Sequence, residues 1–192
     1  KEREREMDCK FFFAGDTGYD EKLFKAIGTH LGPFDFAALP IGAYRPDWFL
    51  SSVHIDPSEA IRVHREIGCK QSVGIHWGTF PLADEDYIEP PLELARARRL
   101  LSLSLSQFFT MRHGETWCVG GDPLYDFATL YPELLTEYEA LREGLKPPHK
   151  QSLSRRVLRS LWNRFKKPFS TSLSLSHSIS RSLSPASSTS SS

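Results

Sequence analysis

FFFAGDTGY at Phe11 to Tyr19 and GIHWGTF at Gly74 to Phe80 decide how this chain is read. Each is a short apolar run that stops abruptly in a turn, with Asp16 in the first turn and His76 in the second. Such runs read as buried strands, although Phe11 to Ala14 is too short for periodicity to settle, and its three consecutive Phe side chains need cover on both faces. A polar side chain at a strand's end can be held rigidly with its donor atoms facing a cleft, which suits metal ligation or acid/base chemistry. The residue types alone leave two readings open for each position. Asp16, between Gly15 and Gly18, is a turn or helix cap, or a ligand. His76 is a polar packing residue, or a zinc donor whose second nitrogen is oriented by a nearby acceptor.

Between these turns the chain alternates helix and strand. Asp20 to Leu31 predicts an amphipathic helix that buries Leu23, Phe24, Ile27 and Leu31 on one face, with Gly32 and Pro33 ending it. His30 beside that stripe reads as structural or exposed. Phe34 to Ile41 is a second core strand, and the loop from Gly42 to Phe49 carries Tyr44, Arg45 and Trp48. Those three suit contact with an acyl chain or a phosphate, and equally an aromatic cap over the core. In HIDPSEA, Asp56 has the position of an N-cap, Pro57 suits the first turn, and Glu59 completes a capping box. Asp56 is therefore structural. His64 shares a helix face with Ala60, Ile61 and Ile67 and is expected to pack against the sheet. Gln71 to Ile75 is a third strand, Asp84, Glu85 and Asp86 read as solvated acids, and Pro90 with Pro91 leads into a helix.

Taken together, FFFAGDTGY, GPFDFAALPIGAY at Gly32 to Tyr44, HIDPSEAIRVH at His54 to His64 and GIHWGTFPLADEDYIEPP at Gly74 to Pro91 resemble the C-terminal half of metallo-β-lactamase-fold hydrolases. The similarity is to the type that hydrolyses N-acyl-phosphatidylethanolamine as a phospholipase D, and MRHGETW at Met111 to Trp117 resembles that type's terminal strand. The resemblance implies an α/β fold, here a partial αβ/βα sandwich, with two zinc ions at its edge in the complete domain. It implies that Asp16 and His76 are metal ligands, Asp16 bridging both ions. It also places His54 near the active centre, as a catalytic contact to substrate or to a metal-bound group. The implied substrate is an N-acyl phospholipid, and the implied products are an N-acylethanolamine and phosphatidic acid. Related sites hydrolyse lactones, thioesters or other phosphodiesters, and nothing in composition or spacing selects the lipid. The family's His-x-His-x-Asp-His cluster does not occur among the seven histidines of these 192 residues. The sequence is therefore expected to behave as half an enzyme, inactive alone; the alternative is a non-catalytic binding or structural module.

The rest of the chain is of a different kind. Of its 24 acidic residues none lies after Glu143, whereas nine Lys or Arg do, so the formal neutrality sums two unlike parts. Residues 1–119 are expected to form the partial hydrolase domain, 120–168 a peripheral helical extension, and 169–192 a Ser-rich disordered tail. ARARRLLSLSLSQ at Ala95 to Gln107 is a suspect insertion, whose Leu-Ser alternation predicts a strand where the family continues a helix. Phe108 to Trp117 returns to the family pattern, with His113 and Glu115 structural or at a pocket rim. Thr129 to Leu145 predicts a short helix. Arg155 to Lys167, basic and amphipathic, suits contact with an anionic membrane, and no motif points to a specific nucleic acid. Cys9, Cys69 and Cys118 read as buried free thiols in a reducing compartment, and no run reaches the roughly 18 apolar residues of a membrane span. These features predict an intracellular protein, cytoplasmic or peripheral to a membrane. A charged start without Met is expected of a truncated gene product.

Overall fold

The computed structural model describes residues 9–112, 114–123 and 131–143. Within them four parallel strands form one sheet in chain order: β1 (Phe11–Phe13), β2 (Phe34–Pro40), β3 (Cys69–Ile75) and β4 (Phe108–Phe109). Parallel neighbours require a crossover, and each is made by a helix: α1 (Glu21–His30), α3 (Pro57–Glu66) and α4 (Glu89–Leu100). The four-residue α2 (Asp47–Leu50) precedes α3, and α5 (Pro132–Arg142) follows the sheet. This is the α/β class that the sequence predicts. With strands added in order and crossovers of one hand, the three helices fall on one side of the sheet. They pack there side by side, α1 on α3 and α3 on α4.

The pleat divides the core into two. Ala37, Leu39 and Ile41 face the helices with Phe24, Ile55, Ile61, Ile67, Leu94 and Phe108, all buried. Ala38, Val73 and Phe109 face the other way and pack with Phe36, Ile75, Met111 and Trp117. Gly28 allows α1 to approach α3, because a β-carbon there would stand 2.0 Å from the Glu66 carbonyl oxygen.

Several expectations are overturned. Phe11 and Phe13 are not covered: β1 is an edge strand, and they stand 54% and 64% exposed on the face away from the helices. The α1 stripe is only partly buried, with Phe24 in the core while Leu23 and Leu31 are exposed, because α1 meets a single neighbouring helix. The strand expected from the Leu-Ser alternation is absent; α4 runs to Leu100 and residues 101–107 form turns. Leu103 enters the core there, and the Gln107 side chain accepts a hydrogen bond from the Ser104 backbone N–H at 3.1 Å. Burial of one Leu and local side-chain bonds therefore outweigh the alternation.

The capping box forms as expected, with the Asp56 carboxylate accepting from the Glu59 N–H at 2.8 Å and Glu59 accepting from the Asp56 N–H at 3.1 Å. We expect Asp56→Ala to lower the unfolding free energy by about 1 kcal/mol in urea denaturation, the usual loss on deleting a helix cap. His30 is exposed, and His64 is buried under α3, as expected. Of the three free thiols expected to be buried only Cys69 is; Cys9, just before the edge strand, and Cys118, in the turns after β4, are exposed. His113, the basic segment Arg155 to Lys167 and the Ser-rich stretch 169–192 lie outside the described residues. No helix among the described residues is long and apolar enough to cross a membrane.

Candidate metal centre

Parallel strands all end at the same edge, and in open α/β sheets ligands bind beyond the strands' carboxyl ends. Asp16 lies three residues past the end of β1, and His76 immediately follows β3. Gly15 turns the chain with φ +62°, a left-handed conformation open to glycine without strain. His54 reaches the same edge from the turn after α2, where its N–H donates to the Leu50 carbonyl at 2.8 Å.

The three side chains meet. Asp16 Oδ1 is 3.4 Å from His76 Nε2, and the rings of His54 and His76 stack with centroids 5.1 Å apart and planes 23° from parallel. One donor atom from each lies within 4.8 Å of the others, and this is the only cluster of three or more such groups among the described residues. His76 Nδ1 is 3.3 Å from the Gly42 carbonyl oxygen, its natural hydrogen-bond acceptor. With the proton on Nδ1, the lone pair of Nε2 is left facing Asp16. His54 Nδ1 is buried and has no hydrogen-bond partner. A buried polar atom without a partner is costly, and a cation or substrate would satisfy it. Two imidazoles and a carboxylate are also the nitrogen and oxygen donors that zinc accepts, so the residues fit the metal.

His64 is elsewhere. Its Nδ1 pairs with Ser72 Oγ at 2.8 Å beneath α3, its ring lies 5.8 Å from that of Phe108, and burial lowers its pKa to about 4. The loop candidates divide in the same way. Tyr44 is buried and donates to Glu89 at 3.1 Å, while Arg45 pairs with the same carboxylate at 2.7 Å. Both are committed to the start of α4, and Trp48 alone of the three is exposed, at 85%. Glu85 is not a solvated acid: it accepts from the backbone N–H groups of Ala43 and Arg45. Sequence reasoning also missed Gly42. A β-carbon there would stand 2.2 Å from the His76 carbonyl oxygen, and only the second glycine of GPFDFAALPIGAY hinted at that close approach. A cleft of about 320 Å³, open to solvent, runs beside His76 past Ala43, Trp77, Phe80 and Tyr87.

Residues 5–77, which hold all three donors, match the family model described as beta-lactamase superfamily domain. They are similar to part of a beta-lactamase superfamily domain. The chain is 47% identical over 112 residues to N-acyl-phosphatidylethanolamine-hydrolyzing phospholipase D 1 of Caenorhabditis elegans, covering 56% of this chain and 31% of that protein. It is 39% identical over 84 residues to the mitochondrial N-acyl-phosphatidylethanolamine-hydrolyzing phospholipase D of Saccharomyces cerevisiae, covering 43% of this chain and 18% of the relative. The domain therefore spans less than a third of the length of either. Among solved structures, Igni18, a metallo hydrolase from Ignicoccus hospitalis, is similar at 25% identity and a TM-score of 0.36, over 54% of this chain and 38% of that one.

Proposed function

We propose that this chain contributes Asp16 and His76 as ligands, and His54 as a catalytic contact, to the zinc centre of a hydrolase that cleaves N-acyl phospholipids. The products would be an N-acylethanolamine and phosphatidic acid. The observation that carries the proposal is the meeting of three donors at the strands' carboxyl edge, with donor atoms within 4.8 Å of one another. The similarity to two N-acyl-phosphatidylethanolamine-hydrolysing enzymes supports the substrate class. Zinc, two ions in the complete centre, supplies a Lewis acid for the phosphoryl oxygens and lowers the pKa of bound water to about 7.

The chain's own residues do the rest. Asp16 offers a carboxylate whose two hard oxygens suit a bridging position. His76, held through Nδ1 by the Gly42 carbonyl, presents Nε2 as a neutral donor. His54, stacked on His76, has a ring nitrogen with which to hydrogen-bond a phosphodiester oxygen. A phospholipid substrate places the work at a bilayer surface inside the cell, with the basic segment Arg155 to Lys167 as the proposed contact.

Equilibrium dialysis with zinc and an assay of N-acyl-phosphatidylethanolamine hydrolysis test the reading, on the chain alone and with a segment bearing the family's histidine cluster. Alone it is expected to bind zinc weakly and show no appreciable turnover, since a catalytic zinc takes about three protein ligands and this donor set serves two ions. Complemented, it should bind two ions and release N-acylethanolamine. Two tightly held ions and turnover by the chain alone would contradict the proposal. Zinc binding with hydrolysis of only a lactone or a thioester would retain the metal and end the lipid assignment.

A further inference from the structure

We propose that Glu85 is a positioning residue for His76, acting through a single peptide unit whose N–H lies 42 residues earlier in the chain. The Gly42 carbonyl and the Ala43 N–H belong to the same planar amide, and in a trans peptide they point in opposite directions. One end meets the His76 ring, with Nδ1 3.3 Å from the Gly42 oxygen. The other end is gripped by Glu85, whose Oε1 accepts the Ala43 N–H. Its second oxygen accepts the Arg45 N–H at 3.1 Å, and the Asp84 N–H donates to the Arg45 carbonyl at 3.1 Å, so residues 84 and 85 zip onto residues 43–45.

The backbone needs that grip. Ala43 has φ +60° and His76 φ +61°, left-handed conformations that residues with a β-carbon adopt only when their surroundings hold them. Gly42 meanwhile lies too close to His76 for any side chain, so no side chain at position 42 helps to fix the amide plane. The carboxylate does more than orient. A hydrogen bond to an anion polarises the amide, strengthens the carbonyl at its far end as an acceptor, and so favours the proton on His76 Nδ1. The Asp16 carboxylate, 3.4 Å from Nε2, pulls the proton the other way, so the grip of Glu85 shifts a balance between the two tautomers. The peptide unit orients His76 in this structure as it stands; the consequence for metal rests on the proposed zinc centre.

The experiment uses the full chain with ¹⁵N-labelled histidine at alkaline pH, where neutral imidazole tautomers are read directly by NMR, His76 being assigned with His76→Gln. The wild-type ratio of the Nδ1-protonated to the Nε2-protonated form is the reference, because Asp16 Oδ1 at 3.4 Å draws the proton toward Nε2 while the Gly42 oxygen at 3.3 Å draws it toward Nδ1. Glu85→Ala should move it toward the Nε2 form, and Glu85→Gln, which keeps one acceptor oxygen, should fall between. Zinc affinity should weaken by about tenfold in Glu85→Ala, the usual scale for losing support behind a metal-binding histidine. An unmoved tautomer in a folded Glu85→Ala chain overturns the proposal, even if unfolding shifts, since a merely structural acid would lower stability alone. If that variant does not fold, the Glu85→Gln tautomer decides in the same way. If wild type takes up no zinc, the metal reading fails while the tautomer still decides this one.

Discussion

Asp16→Ala is expected to lower the zinc affinity of the chain by at least about a hundredfold, the upper scale seen for losing a residue that merely supports a ligand. Its unfolding midpoint in urea should hardly move. The two effects separate because Asp16 sits on an exposed turn with its side chain 64% exposed, where substitutions usually shift stability by no more than about 0.5 kcal/mol. Its carboxylate is the one anion among the three donors, so its loss removes charge as well as a ligand. His64→Gln should do the opposite, lowering stability while leaving zinc affinity near that of wild type, because His64 bonds Ser72 beneath α3 and takes no part in the cluster. Titration of cobalt as a spectroscopic zinc substitute into both variants, beside urea unfolding, checks the contrast. The reverse order would show that the His64 side supports the metal and the Asp16 turn does not.

Acid should weaken the fold through the same buried histidine. His64 in the unfolded chain takes up a proton near its ordinary value of 6.5, whereas burial delays that protonation in the folded chain to about 4. Between those values the unfolded state binds more protons, so stability is full above about 6.5 and declines as pH falls through the window. The loss is complete below about pH 4 and amounts to about 3 kcal/mol, at 1.36 kcal/mol per pH unit of difference. Urea unfolding of wild type and His64→Gln across that range tests the assignment. The variant should start less stable and lose less on acidification; equal slopes would mean that other groups carry the acid response.

The site was more legible in the sequence than its surroundings. Asp16, His54 and His76 stand in short motifs that carry a family resemblance, and that resemblance nominated them where residue type alone left capping or packing open. Glu85 could not be found that way. Its partners are backbone N–H groups forty and more residues earlier, and an acid in a loop looks the same whether water or an amide solvates it. Periodicity likewise shows which side chains share a face and not whether anything covers that face. Phe24 found a neighbour where Leu23 and Leu31 did not, and Phe11 and Phe13 stand at the edge strand on the sheet face without helices. At 101–107 the alternation was real, but a strand needs partners along its length, and these residues turn to bury Leu103.

Strand order in this sheet repeats chain order, and that bears on how the polypeptide is made. Each strand leaving the ribosome finds its immediate predecessor already in place, and the intervening helix closes over the pair before the next strand arrives. Pairing partners 25 to 36 residues apart, as Phe11 with Phe36 or Ser72 with Phe108, keep each closure short for a parallel sheet. The sheet can therefore grow vectorially, one unit at a time, during synthesis. Assembly of the edge that holds the donors follows the same timetable: Asp16 emerges first and waits, His54 follows, and the cluster closes only when β3 docks and delivers His76.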